Sequence, residues 1–128
     1  MAINTATPQE TYDHMLGAGG LSYYWWQSVD VTGAPDDEAT DDWAAELVCE
    51  DGNEDFKTVT ISHSSVIETA KKLTALWLSD PEAAENAVGQ EALLNAARLI
   101  FAPDECDFDA GTADCLLQYM VLGEVIFG

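Results

Sequence analysis

The balance of charge constrains this chain more than any other feature of its sequence. Aspartate and glutamate account for 24 of its 128 residues, whereas lysine and arginine account for four, which gives a formal net charge of −20 at pH 7. Twenty carboxylates therefore lack a basic partner, and because burying an unpaired charge is very costly, the fold must keep them in water. A surface of this charge repels nucleic acid and anionic membranes, so direct binding to either is not expected.

The apolar content indicates that the chain nevertheless folds. Hydrophobic residues make up 48% of the sequence, far more than in acidic disordered tails. A chain of 128 residues is the size of one ordinary domain. We therefore predict a single acidic globular domain covering residues 1–128.

The N-terminal segment carries the signals of a short helix. Thr7 is the expected N-cap, Pro8 occupies the first helical position, and Glu10 completes a capping box. These residues predict a helix over residues 8–16 that stops at Gly17. The next segment, AGGLSYYWWQSVDV, predicts a short helix or turn that leads into an extended piece.

The segment DWAAELVCEDGNEDFKTVTISH, which follows an acidic loop at residues 36–42, predicts a β-hairpin. Apolar and acidic side chains alternate along its first strand and so point to opposite faces. The apolar face holds Trp43, Ala45, Leu47 and Cys49, and the other face holds Glu46 and Glu50. The turn is EDGNED, with Gly52 and Asn53 able to take positive φ, and the return strand covers about residues 56–62.

The rest of the chain is predicted to be helical. A capping box formed by Ser65 and Glu68 precedes one amphipathic helix, and Asp80 caps a second helical segment that breaks near Gly89. The apolar stripes of these helices are Val66, Ala70, Leu73 and Trp77, then Leu93, Ala96, Ala97 and Ile100. Residues 110–126 are apolar on all sides and predict a buried C-terminal helix. The predicted fold is α+β, a small antiparallel hairpin or sheet packed against four or five helices.

The run of four aromatics at residues 23–26 allows two interpretations. Burying such side chains is a large source of stability, so most of them are expected in the core. Four consecutive side chains cannot all point the same way, however, and an exposed one is a typical interface anchor. The sequence does not tell which of the four is exposed, and Trp25 is included among the candidate partner contacts.

No motif in the sequence supports catalysis or a cofactor. His14 and His63 are isolated, no serine or cysteine lies in a nucleophile motif, and no pair of carboxylates stands out for acid–base chemistry. The three cysteines lack metal-ligand spacing and are expected to be free thiols. The acidic loops do not follow the order of a calcium-binding loop. We predict a protein that is not an enzyme and has no metal or cofactor site.

Location follows from the lack of targeting features. The N-terminal residues have neither a basic region nor an apolar run of leader length, and no stretch approaches the roughly 20 apolar residues of a membrane span. A cytoplasmic protein that does not contact the membrane is expected.

The charge itself is then the functional signal. Same-face residues of a strand lie roughly 6.6 Å apart, and a DNA strand carries one phosphate per about 3.4 Å of axis, so the hairpin and its loops can imitate a phosphate backbone. The candidate partner-binding acids are Asp36, Asp37, Glu38, Asp41, Asp42, Glu46, Glu50, Glu54 and Asp55. A second patch comprises Asp104, Glu105, Asp107 and Asp109. The alternative is that the acids only solvate the protein, as in halophiles.

Several segments carry a resemblance to a known group of proteins. They are YDHMLGAGGLSYYWW, DWAAEL, VTISHSSVIETAKKL and DFDAGTADCLLQYMVLGEVIFG. Together they cover most of the chain, which resembles small acidic proteins of unassigned function from actinobacterial phages and mobile elements. The resemblance implies a phage or mobile-element origin, so that the cytoplasm is that of the host cell, and it assigns no active residue.

The expected function combines this resemblance with the charge. Small acidic phage proteins often look like DNA mimics that disarm restriction, CRISPR or other nucleic-acid-handling machinery. The leading hypothesis is an inhibitor that binds a basic nucleic-acid-binding protein of the host. The alternative is a phage accessory or assembly protein whose acidity only solvates it. A homodimer is left open.

Overall fold

Within residues 5–128, which the computed structural model describes, three antiparallel strands form one sheet in the order β1–β2–β3. The first four residues of the predicted domain lie outside the described residues. The strands are β1 (Trp26–Thr32), β2 (Ala44–Glu50) and β3 (Phe56–Ser62). The predicted hairpin is β2–β3, and the predicted extended piece is β1, which pairs with β2 from Trp26↔Cys49 to Thr32↔Ala44.

Five α-helices of the described chain pack on the sheet and on one another, so the predicted α+β class is confirmed. Their bounds are α1 (Pro8–Met15), α2 (His63–Ser79), α3 (Pro81–Val88), α4 (Gln90–Phe101) and α5 (Ala110–Leu122). Short 3₁₀ turns occur at Gly20–Ser22, Pro35–Asp37 and Pro103–Glu105. The first of them is the predicted turn before the extended piece.

The N-terminal capping box was predicted correctly for α1 but not for α2. The capping box of α1 is present as predicted, with the Glu10 amide N–H donating to the Thr7 hydroxyl and the Thr7 amide N–H donating to the Glu10 carboxylate. The predicted capping box of α2 was wrong by three residues. Ser62 is the N-cap and exchanges hydrogen bonds with Ser65, so the helix follows β3 without a loop.

Glycines at positive φ end two helical segments. Gly89, at φ 86°, separates α3 from α4 where the break was predicted. Gly123, at φ 81°, ends α5 at Leu122, four residues before the predicted end. Glycine reaches positive φ easily and so closes a helix, and at Gly123 this signal outweighs the apolar residues that follow it.

The core lies between one face of the sheet and the helices. On β2 the apolar face is fully buried as predicted, and α5 is central because it contacts β2, β3, α1, α3, α4 and the Gly20–Ser22 turn. The predicted helical stripes are buried at Val66, Ala70, Leu73, Leu93, Ala96 and Ile100. Two residues of the predicted stripes are half-buried instead: Trp77, in the last turn of α2, and Ala97, at the edge of the buried face of α4. The C-terminal helix is not buried on all sides as predicted, because Cys115, Tyr119, Met120 and Leu122 are half-buried.

Candidate interaction surface

The acidic loop, residues 36–42, is fixed to α1 by side chains of that helix. The Gln9 amide donates to the Asp37 carbonyl oxygen at 3.0 Å and accepts from the Ala39 amide N–H at 2.7 Å. The Tyr12 hydroxyl donates to Oδ1 of Asp37 at 2.7 Å. Asp36 and Asp37 adopt positive φ, which aspartate tolerates better than most residues. The loop therefore presents its carboxylates from a defined backbone.

The contact between Tyr12 and Asp37 also changes the pKa of Tyr12. The hydrogen bond to the Asp37 carboxylate raises the pKa of Tyr12, and burial and the negative charge of Asp37 raise that pKa further. Each of these causes favours the neutral phenol, which can donate to the carboxylate. Tyr12 is thus held in the protonated form that restrains the acidic loop.

The face of the sheet that points away from the helices carries acidic side chains. Asp30 on β1 lies directly opposite Glu46 on β2, and both are exposed. Like charges in directly opposite positions of a sheet are destabilising. Further along β2, the half-buried Glu50 accepts a hydrogen bond from the Gln27 amide at 3.2 Å.

The turn between β2 and β3 is organised by its own first carboxylate. Oδ1 of Asp51 accepts from the Asn53 amide N–H at 2.8 Å and from the Asp55 amide N–H at 3.3 Å. Positive φ was predicted at Gly52 and Asn53, but it occurs at Gly52 and Glu54. The Asp51 cap explains the difference, because it holds Asn53 within the turn and moves the reversal one residue later.

The nine predicted acids follow one another in sequence through the acidic loop, β2 and the turn after it, and we call this set the acidic ribbon. The acidic loop precedes β2, Glu46 and Glu50 lie on its outer face, and Glu54 and Asp55 follow it at the turn. Eight of the nine are exposed and Glu50 is half-buried. The ribbon runs the length of a seven-residue strand, about 20 Å.

The second predicted patch lies in the connection between α4 and α5. All four carboxylates of that patch, at residues 104–109, are exposed. Asp109 caps α5 by accepting from the Thr112 amide N–H at 2.7 Å, and this hydrogen bond lowers the pKa of Asp109. One member of the patch therefore has a structural role.

The inclusion of Trp25 among the partner contacts was wrong. Trp25 is 6% exposed, stacked between Tyr23 at 4.8 Å and Phe127 at 5.1 Å between ring centroids. Its indole N–H donates to Oδ1 of Asp114 at 2.8 Å, because a buried indole needs an acceptor. The exposed member of the run is Tyr24, at 74%.

Sequence reasoning missed the polar cluster under this aromatic run. The carboxylate of Asp114, 4% exposed on α5, accepts from both Trp25 and Trp26 at 2.8 Å and from the Gln118 amide at 2.8 Å. Gln118 in turn accepts from the amide N–H groups of Ile126 and Phe127. The available signal was the presence of two polar residues, four positions apart, in an otherwise apolar helix.

Asp30 was also missed, and it extends the acidic face onto β1. The sequence WQSVDVT contains no basic residue to draw attention to a charge pattern, and its pairing with Glu46 depends on the register of β1 against β2. Register between strands that an eleven-residue loop connects cannot be read from alternation within one strand.

The three cysteine thiols are poorly ionised. Cys49, Cys106 and Cys115 are free, and burial raises the pKa of Cys49 and of Cys106 to about 11 and raises that of Cys115 as well. Raised thiol pKa values leave little of the thiolate, which is the nucleophile and metal ligand. Among residues 5–128, no group of three or more His, Cys, Asp and Glu side chains is placed to hold a metal ion.

Across the described part of the chain, every helix is too short or too polar to span a bilayer. The family resemblance drawn from the sequence stays a prediction. Comparison of the chain with protein-family models, with curated proteins and with solved structures found no match.

Proposed function

We propose that this protein is a non-enzymatic inhibitor, of phage or mobile-element origin, that imitates a nucleic-acid backbone and occupies the basic nucleic-acid-binding surface of a host protein. The observation that carries the proposal is the acidic ribbon. Residues 26–62 contain eleven aspartates and glutamates and one basic residue, Lys57. Half of the net charge of the molecule thus lies in the sheet and its loops.

The number of these charges supports the comparison with DNA. A DNA strand carries about six phosphates over the roughly 20 Å that β2 spans, and a duplex carries about twelve. The sheet and its loops together carry eleven acids, a similar total, of which Glu46 and Glu50 lie on β2 itself. An array of lysines and arginines that neutralises a duplex would therefore find a similar number of carboxylates on this sheet.

The rigidity of the ribbon supports the proposal further. Gln9 and Tyr12 restrain the acidic loop, and Asp51 organises the turn at the opposite end of β2. Binding a preorganised surface loses less conformational entropy than ordering a flexible acidic tail. A carboxylate array of fixed shape is therefore better suited to compete with DNA.

The pairing of Asp30 with Glu46 is unfavourable for stability alone. Two carboxylates face each other across neighbouring strands, at a position where threonine or an opposite charge is preferred. A basic partner would relieve this repulsion, and the stability lost in the free protein would then contribute to binding.

The alternative, an accessory or assembly protein whose acidity only solvates it, is supported by the helical side of the molecule. Exposed glutamates also occur on α2, α3 and α4, outside the ribbon. If charge serves solubility, its position is unimportant, and acids of the ribbon and of the helices are interchangeable.

The experiment therefore compares two variants of equal charge. The ribbon variant carries Asn at Asp36, Asp37, Asp41 and Asp42 and Gln at Glu46 and Glu50. The helix variant carries Gln at Glu68, Glu82, Glu85 and Glu91, which lie on α2, α3 and α4, and at Glu105 and Glu124, which lie before and after α5 and outside the ribbon. Asn at position 37 and Gln at position 50 keep the acceptors for Tyr12 and Gln27, so both variants should fold.

Each protein is tested for displacing a labelled DNA duplex from a basic protein captured from host lysate. We expect the wild type and the helix variant to displace the duplex equally, and the ribbon variant to displace it much less, with all displacement weakening as salt rises. Equal displacement by both variants, or a captured protein that holds the inhibitor and the duplex together, contradicts mimicry and favours the alternative.

A further inference from the structure

The outer edge of the sheet at β1 is a second feature suited to binding. Strand order places β1 at an edge, and within residues 5–128 no strand pairs with its other side. An edge strand presents a row of backbone N–H and C=O groups that can accept another extended chain. Six of the seven side chains of β1 are exposed.

The helix-side face of β1 is incompletely covered by the helices. Val29 and Val31 lie opposite the buried Leu47 and Ala45, so they point to the helical side of the sheet. They are nevertheless 40% and 37% exposed. Val31 also lines an open groove of about 570 Å³ together with Tyr12, Gly33, Ala34, Pro35, Asp36 and Asp37. An added strand could therefore place apolar side chains beside these valines.

The other face of β1 is acidic and therefore favours a basic partner. Asp30 lies on the outer face, next to Glu46, and the acidic loop follows the strand. A second copy of this chain would bring two such faces together at a net charge of −20 each, which opposes pairing. The strand has no lysine or proline, the residues that commonly block edges, so acidity is its main protection.

We propose that β1 accepts an extended segment of a basic partner as a fourth strand, with its basic side chains on the Asp30 face and its apolar side chains on the Val29 and Val31 face. The inference rests on the proposed function in one respect, the basic character of the partner. It adds a backbone-directed contact, which supplies the specificity that charge alone lacks.

The test uses a synthetic peptide, a capped heptamer of alternating lysine and valine, with the intact protein. Two further peptides carry backbone N-methyl groups, one on all lysines and the other on all valines. Because the N–H groups of alternate residues in a strand point to the same edge, each peptide loses the hydrogen-bond donors of one edge and keeps its charge. We expect the parent peptide to protect β1 amides from hydrogen exchange, and one of the two methylated peptides to bind about tenfold more weakly than the other. Asp30→Lys should weaken binding more than Glu82→Lys, which changes the net charge equally.

Equal affinity of both methylated peptides, or binding without protection of β1, would show adsorption by charge and overturn the proposal. A dimer in sedimentation without peptide, together with β1 amides already protected from hydrogen exchange, would also overturn the proposal, because a second copy would then occupy the edge. If duplex competition fails while the peptide still protects β1, mimicry is rejected and the edge-strand assignment stands. If duplex competition succeeds and no peptide protects β1, the edge-strand assignment is rejected and mimicry stands.

Discussion

At the scale of single residues, Asp114 determines how four consecutive aromatics can be accommodated. One carboxylate oxygen accepts from the indoles of both Trp25 and Trp26, so two adjacent residues of the chain point their N–H groups at a single atom. The backbone is irregular at this point, with a register shift between Trp26 and Ser28. Such a bulge lets neighbouring side chains depart from strict alternation. The aromatic run is therefore mainly a core feature, and Tyr24 is its exposed member.

Replacing Asp114 should strongly destabilise the fold. Asp114→Ala leaves two indole N–H groups without an acceptor, at about 1–3 kcal/mol each, so we expect the free energy of unfolding to fall by about 2–6 kcal/mol. Asp114→Asn retains one oxygen and should cost less. The measurement is urea unfolding followed by tryptophan fluorescence, with the exposed Glu85→Ala as control. A loss below about 0.5 kcal/mol for Asp114→Ala, the range of ordinary surface substitutions, would contradict this role.

Tyr12 gives a pH-dependent prediction. Its pKa is raised in the folded protein above the usual value of 10.0, so the stability it contributes is present below that value and is lost as pH rises through the raised pKa. We expect the wild type to be more stable than Tyr12→Phe at pH 8, by about 0.5–1.5 kcal/mol. This difference should shrink at alkaline pH. A difference that stays constant up to pH 11 would mean that the hydrogen bond to Asp37 does not restrain the loop.

At the scale of elements, the sequence predicted those parts that local chemistry specifies. The capping box of α1, the break at Gly89 and the bounds of β3 depend on residues within a few positions of one another. The start of α2 was misplaced because two capping boxes compete locally. Ser65 can pair with Glu68, as predicted, or with Ser62, as the structure shows. The partners of α5 were not predictable, because Asp114 meets tryptophans 88 and 89 positions away.

The contact between the Gly20–Ser22 turn and α5 can be tested with one methyl group. A Cβ added at Gly20 would lie 2.8 Å from the Ala113 Cβ and 2.8 Å from the Asp114 backbone nitrogen. Gly20→Ala should therefore force the turn away from α5, and we expect unfolding free energy to fall by about 1–3 kcal/mol. Thermal and urea unfolding of the variant provide the measurement.

The control is the same substitution within α5. A Cβ at Gly111 would meet its neighbours at 3.6 Å or more, and alanine is a better helix former than glycine by about 1 kcal/mol. Gly111→Ala should therefore be neutral or stabilising. Equal effects of the two substitutions would show that the close packing of the turn against α5 is unimportant.

At the scale of the whole molecule, the structure keeps 23 of the 24 acids at least partly exposed and buries one. The sequence predicted this exposure, because an unpaired carboxylate has to remain in water. It could not predict that Asp114 is the exception, since burial there depends on three donors from distant parts of the fold. It also could not place Asp30 beside Glu46.

This charge makes stability depend on salt. Raising the ionic strength from about 0.01 M to about 0.15 M shortens the Debye length from about 30 Å to about 8 Å and screens much of the repulsion. We expect the melting temperature to rise by several degrees over this range. The helix variant, with six fewer charges, should show a smaller rise. A melting temperature that does not increase would indicate that the carboxylates do not destabilise the fold through mutual repulsion.

The enclosure of Trp25 has a consequence for how the chain folds during synthesis. Its ring stacks on Phe127, and its N–H group donates to Asp114. Trp25 therefore cannot be enclosed until about a hundred later residues have left the ribosome. Contacts of such separation slow folding, because a long loop has to close before they form. The enclosure of the aromatic run should therefore stay incomplete through most of translation, with the run available to chaperones until α5 arrives.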